Sequence, residues 1–179
     1  MRLPSWDYRN PGYYFITINT KYRVQNLCRI DKNSVTTFIP GMIAENELLK
    51  TGIINHNVSI DEYVIMPDHV HFILEIAFDL QNNPLEYRSV ARYASAKKYI
   101  AHGRNHEISH SRISPMPGSV SALVRAYKSA VTRVCHDSGI PDFAWQPRFY
   151  DRIIRDRHEL RGTRKYIRNN VEKWRMKYL

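Results

Sequence analysis

The stretch between residues 53 and 76 constrains the fold of this chain more than any other. Two runs rich in β-branched and aromatic residues, 53–65 and 69–76, flank Met66-Pro67-Asp68. Such runs around a short Pro/Asp segment read as two strands joined by a tight turn. In the second run the side chains alternate. His69 and His71 fall on one face, and Val70, Phe72 and Leu74 fall on the other. A strand with an apolar face needs a layer to cover it, so a sheet with helices packed on it is expected.

The remaining elements fit that frame. Residues 13–19 (YYFITIN) read as a first strand. Ser34 is placed to cap a helix running to about Lys50, with Val35, Phe38, Ile39, Met42 and Ile43 at three- and four-residue steps. Pro40 lies inside that pattern, so this helix is expected to begin late or kink there. A second helix is expected from Ser119 or Val120 to His136. Its apolar stripe is Val120, Leu123, Val124, Tyr127, Val131 and Val134, its basic face is Arg125, Lys128 and Arg133, and Gly139-Ile140-Pro141 ends it. Residues 143–154 look extended, and Asp156 is placed to cap a last helix through about Trp174. Residues 77–117 break the pattern with Asn82-Asn83-Pro84, a basic segment at 88–98 and a Ser/His/Pro tract at 106–117. They read as an insertion, with one short helix at about 85–102 and a loop, in a single domain spanning 1–179. The order strand, helix, strand, strand, helix, strand, helix predicts an α+β, ferredoxin-like (RRM-like) fold with a central antiparallel sheet and packed helices.

Composition narrows the function classes. With 179 residues and 43% hydrophobic side chains, the chain can bury a core without disulfide staples. Cys28 and Cys135 have no CxxC partner, which suits reduced thiols and a cytoplasmic location. The first residues lack the apolar run of a signal peptide, and no segment approaches a membrane span, so no membrane partner is expected. The net charge of +10 is unevenly distributed: residues 1–81 carry −2, residues 82–133 carry +7, and residues 145–179 carry +7. Evenly spread solubilising lysines would not give that asymmetry. A neutral scaffold with two strongly basic regions is the footprint of a polyanion ligand.

Two constellations carry chemistry. His69 and His71 share a strand face about 7 Å apart at the backbone, at roughly 3.3 Å of rise per residue. Two imidazoles so placed can converge on one divalent cation if a third ligand arrives from elsewhere. His-x-His alone is an ordinary surface or packing pair, but the apolar opposite face buries this strand and fixes both rings. On the last helix, Tyr166 and Asn170 are four residues apart and share a face. Tyr166 offers a phenol able to attack phosphorus, and Asn170 an amide oxygen able to complete a metal site. The ordinary alternatives are a rim tyrosine and a capping asparagine. The flanking Arg161, Arg164, Lys165 and Arg168 do not suit a buried core face. Tyr150, also among bases but on a strand-like segment without a carboxamide four residues on, is the rival nucleophile. The bases expected to meet a nucleic acid are Arg125 and Lys128, Arg148, Arg152 and Arg155, and Lys165 and Arg168.

The run Tyr63-Val64-Ile65-Met66-Pro67-Asp68-His69-Val70-His71 resembles the HUH motif (His, hydrophobe, His) of the single-tyrosine transposases. The stretch Trp145-Gln146-Pro147-Arg148-Phe149-Tyr150-Asp151-Arg152-Ile153-Ile154-Arg155 resembles a signature of their REP-associated branch, as does Tyr166-Ile167-Arg168-Asn169-Asn170 after it. The three motifs occur in the right order over about 110 residues. One departure is Val171 where the family pattern has proline, which removes a helix stop and leaves the ligand position intact. The insertion at 77–117 is longer than the pattern leads one to expect, and nothing carries over onto it. The resemblance implies a ferredoxin-like HUH domain in which His69, His71 and Asn170 bind Mg²⁺ or Mn²⁺ and Tyr166 is the nucleophile. It further implies a single-stranded or hairpin DNA substrate cut through a 5′-phosphotyrosine intermediate, and a monomer or homodimer. A non-catalytic ferredoxin-like nucleic-acid binder and a water-using phosphohydrolase are the competing readings.

Overall fold

The computed structural model describes residues 6–77 and 115–179. In chain order their elements are β1 (Gly12–Asn19), a short 3-10 turn (Lys21–Arg23), β2 (Cys28–Ile30), β3 (Val35–Thr37), α1 (Ile39–Ile54), β4 (Val58–Met66), β5 (His69–Ile76), α2 (Val120–Asp137), β6 (Tyr150–Ile154), α3 (Arg157–Arg168) and α4 (Asn170–Tyr178).

Four strands form one sheet in the order β4-β5-β1-β6, and β2 pairs with β3 apart from it. Every pairing in the larger sheet is antiparallel. With α1 between β1 and β4, and α2 between β5 and β6, this is the ferredoxin-like arrangement that the sequence pattern predicts.

Alternation divides the sheet into two unlike faces. Tyr14, Ile16 and Ile18 of β1 and Val70, Phe72, Leu74 and Ile76 of β5 are buried with Ala44 and Leu48 of α1 and Leu123, Val124, Tyr127 and Val131 of α2. Ser119 caps α2, its side chain accepting a hydrogen bond from the Ala122 amide at 3.3 Å. On the opposite face, among the described residues, Phe15, Ile73, Ile154, Leu160 and Ile167 form a smaller apolar cluster at α3, with Tyr13 and Val64 packed against it. Cys28, Ile30 and Met66 form a third cluster against Val171 and Trp174 of α4.

The β4–β5 turn is clamped from two sides. The Thr20 amide donates to the Asp68 carbonyl at 3.0 Å, and the Leu27 amide donates to the Pro67 carbonyl at 3.1 Å. Gly41 of α1 comes so close to Leu27 that an added Cβ would lie 2.1 Å from its carbonyl oxygen, so no side chain fits there.

Several boundaries differ from the sequence expectation, each for a local reason. Ser34 does not cap α1: Val35, Thr36 and Thr37 are β-branched and pair with β2. The helix starts at Ile39, where Pro40 sits in the first turn, which has no use for its missing N–H. Ile53 and Ile54 complete α1 rather than opening β4. Of residues 143–154 only Tyr150–Ile154 are strand, with an isolated bridge joining Trp145 to Thr20. The last helix is two helices, α3 and α4, meeting at Asn169 (φ −87°, ψ 4°). A helix stop is therefore present without the proline. The helix expected at about 85–102 lies outside the described residues.

Candidate active site

His69 and His71 lie opposite Asn19 and Thr17 of β1 and are both buried, 7% exposed each. Each Nδ1 is engaged: that of His69 lies 2.6 Å from Asp68 Oδ1, and that of His71 lies 2.8 Å from Thr17 Oγ1. Arg23 Nε holds the other Asp68 oxygen at 2.9 Å. Burial raises the Asp68 pKa, but the His69 hydrogen bond and the charges of His69 and Arg23 bring it net below the ordinary carboxylate value. Burial above all, with the charges of His69 and Arg23 and against that of Asp68, pushes the His71 pKa down to about 3. That ring is neutral at physiological pH. With Nδ1 occupied, Nε2 is the donor each ring has left.

The two Nε2 atoms face each other at 3.1 Å. Two neighbouring donors of an octahedral ion, each at roughly 2.1 Å, stand about 3.0 Å apart. The observed spacing fits a hard divalent cation, and imidazole nitrogen with an amide oxygen is a suitable donor set. Among the described residues no group of three His, Cys, Asp or Glu side chains gathers for a metal. Asn170 is 7% exposed at the start of α4. Its Nδ2 donates to the Tyr166 carbonyl at 3.3 Å, leaving Oδ1 as its donor atom. The amide makes no hydrogen bond to either imidazole.

Tyr166 reaches the pair directly, its hydroxyl 3.4 Å from His71 Nε2. Its ring stands edge-on to Phe15 at 5.9 Å, and the Lys173 ammonium lies 4.6 Å from the ring centroid. The phenol is partly open to solvent, the residue being 39% exposed. The rival Tyr150 is on the same face, opposite Thr17, with its ring 6.3 Å from Phe15. Its hydroxyl makes no hydrogen bond to either imidazole. Beside Tyr166 an open hollow of about 440 Å³ is lined by Phe15, Arg152, His158, Glu159, Gly162 and Thr163. A larger one, about 570 Å³, runs along α2 and Trp145-Gln146-Pro147 on the other side of the sheet, away from the imidazole pair.

What orients α3 is a bulge in β4. Ile60 pairs with Leu74 but Glu62 with Ile73, so Asp61 is an extra residue. The slip brings two consecutive acids to the helix. Arg164 Nε donates to Asp61 at 2.8 Å and Arg168 Nε to Glu62 at 2.7 Å. On the other flank Arg152 pairs with Glu159 at 2.9 Å. Leu160, Thr163 and Ile167 face the sheet between these rails.

The seven bases expected to meet DNA divide into two groups. Lys128 donates to the Gln146 and Pro147 carbonyls at 2.6 and 3.1 Å. Arg152 and Arg168 pair with Glu159 and Glu62, although their side chains remain 44% and 65% exposed. Arg125, Arg148, Arg155 and Lys165 are exposed. Arg155 follows Ile154, which pairs with Tyr13, at the end of β1 away from His69 by roughly 20 Å. Arg125 is on α2, beyond the sheet. Sequence reasoning missed Thr17, Arg23, Asp61 and Glu62. Thr17 shares the His71 face by alternation, whereas Arg23 and the acid pair act across contacts that no local pattern reveals.

The fold and these side chains define a ferredoxin-like domain with a buried imidazole pair and a tyrosine at its edge. No family model matches the sequence. An uncharacterised protein of Haemophilus influenzae (strain Rd) is 28% identical over 177 residues, 97% of this chain and 88% of its own length. The fold is shared with a REP-associated tyrosine transposase solved bound to a REP hairpin, with a TM-score of 0.54 and 19% identity. That likeness covers 97% of this chain and 74% of the transposase. Among the described residues no helix is long and apolar enough to cross a membrane.

Proposed function

We propose that this protein is a divalent-metal-dependent, single-tyrosine transposase that cuts and rejoins single-stranded or hairpin DNA. The observation that carries this reading is one cluster: two imidazole Nε2 atoms 3.1 Å apart and a phenol oxygen 3.4 Å from one of them. A REP-associated tyrosine transposase of the same fold has been solved on a REP hairpin, which supports the substrate class.

His69, His71 and the Asn170 amide oxygen would hold Mg²⁺ or Mn²⁺. When bound, the ion polarises the scissile phosphate and offsets charge developing on it. The chain's own residues do the rest. Asp68 and Thr17 fix both rings so that Nε2 points into the site. The Tyr166 oxygen attacks phosphorus, forming a P–O bond to the 5′ side, and the 3′ oxygen leaves. The phenolic proton passes to solvent, to which the ring edge is open, and the departing oxygen gains a proton to become a free 3′-OH. Lys173 keeps a positive charge against the nucleophile's ring, where the phosphate arrives. Since the phosphotyrosine is itself an ester of similar energy, a second 3′-OH reverses the step and joins strands. Exposed Arg148 and Lys165 supply charge for the DNA backbone. Incubation with labelled single-stranded hairpin DNA and Mn²⁺, followed by a denaturing gel, tests the reading. A metal-dependent covalent protein–DNA band supports it, and binding without that band favours the non-catalytic alternative.

A further inference from the structure

The turn after β1 runs against backbone preference. Tyr22 (φ 55°) and Arg23 (φ 59°) are the two described non-glycine residues with positive φ, and they are adjacent. This left-handed region is open to glycine and asparagine and unfavourable for a bulky aromatic. For Arg23 the return is visible, because the turn brings its guanidinium back onto Asp68, which holds His69. For Tyr22 the described residues offer no such contact beyond the ammonium of neighbouring Lys21. Tyr22 is 83% exposed and forgoes the burial that stabilises aromatic side chains elsewhere. Asparagine or glycine at position 22 would give Arg23 the same path with less strain.

The mount of this ring is fixed. Thr20 is fully buried, with its hydroxyl 2.8 Å from the Val24 carbonyl and 3.0 Å from that of Asp68. The Lys21 amide donates to the Ala144 carbonyl at 2.8 Å, and the Arg23 amide to the Thr20 carbonyl at 3.1 Å. Lys21 Nζ lies 5.2 Å from the Tyr22 centroid. A rigid, solvent-facing aromatic beside a cation is the form of site on which unpaired bases stack, with the cation on the adjoining phosphate. Strained backbone of this kind concentrates at ligand clamps.

We propose that Tyr22 is a stacking platform for an unpaired base of the single-stranded DNA next to the scissile phosphate, with Lys21 contacting the backbone. The proposal rests on the nuclease reading for the direction of the strand and deepens it. The test measures binding of a fluorescein-labelled thymidine strand of about 20 nucleotides, by anisotropy at fixed salt, to the whole protein. Tyr22→Asn suits the left-handed backbone and is expected to bind roughly 5- to 150-fold more weakly, the range for losing one stacked base. Tyr22→Trp is expected to restore wild-type affinity. In a strand carrying 2-aminopurine, wild type should quench its fluorescence and Tyr22→Asn should not. Equal binding by wild type and Tyr22→Asn, or failure of Tyr22→Trp to restore it, overturns the platform. So does a wild type that does not bind the strand. Binding that follows this pattern while hairpin DNA with Mn²⁺ gives no covalent adduct would overturn the nuclease reading and leave the platform standing, so the two fail separately.

Discussion

The two faces of the sheet are held by different physics. Beneath α1 and α2 the side chains are almost wholly apolar, and they form the large cluster from Tyr14 to Trp145. At α3 the apolar cluster among the described residues is much smaller, and the helix is steered by Arg164–Asp61, Arg168–Glu62 and Arg152–Glu159. Burial is strong and undirected, whereas ion pairs near the surface contribute little energy but fix orientation. One face therefore stabilises the domain and the other sets the position of a few reactive groups. Damage to the two faces should separate cleanly into loss of stability and loss of activity.

The largest expected effect on stability belongs to the first face. Phe72→Ala removes a ring that is 2% exposed and should cost about 3–5 kcal/mol, read as a lower urea midpoint. On the other face, His71→Ala should cost about 1–2 kcal/mol, the penalty for leaving Thr17 without its partner, while abolishing cleavage and weakening Mn²⁺ binding. Equal destabilisation by the two variants would erase the distinction. Asn170→Leu should lose Mn²⁺ affinity for a stability cost of about 1 kcal/mol or less, and Asn170→Asp should keep or tighten it. Unchanged affinity in the leucine variant would remove Asn170 from the site. The smallest change in stability is expected for Arg164→Leu with Arg168→Leu. The pairs are partly exposed, so stability should fall by about 1 kcal/mol or less. The rate of covalent capture at saturating DNA should drop, because the Tyr166 helix loses one rail. If the rate holds, the Arg152–Glu159 pair and the burial of Leu160 and Ile167 suffice to position Tyr166.

What could be read from the sequence follows the same division. The hairpin, β1 and α2 were legible because strand alternation and a helical stripe are local patterns repeated over many residues, and they report the apolar face directly. The His69/His71 pair was legible because it shares a strand with Val70, Phe72 and Leu74. Asp61 and Glu62 were not, since a one-residue bulge shifts register without altering composition. Arg23 escaped notice because a left-handed turn, not periodicity, carries it to Asp68. The three-residue strands β2 and β3 are too short for a pattern, so Val35-Thr36-Thr37 read as the start of a helix. Asn169 ended α3 without any proline to announce it.

If Tyr166 is the proposed nucleophile beside the imidazole pair, loss of its hydroxyl alone should abolish the covalent step. Tyr166→Phe removes one oxygen and keeps the ring that packs on Phe15. The measurement is covalent protein–DNA adduct on a denaturing gel, with hairpin DNA and Mn²⁺, for wild type, Tyr166→Phe and Tyr150→Phe. An adduct is expected in wild type and Tyr150→Phe, and none in Tyr166→Phe although it still binds DNA. An adduct that survives in Tyr166→Phe and vanishes in Tyr150→Phe would contradict the assignment of Tyr166.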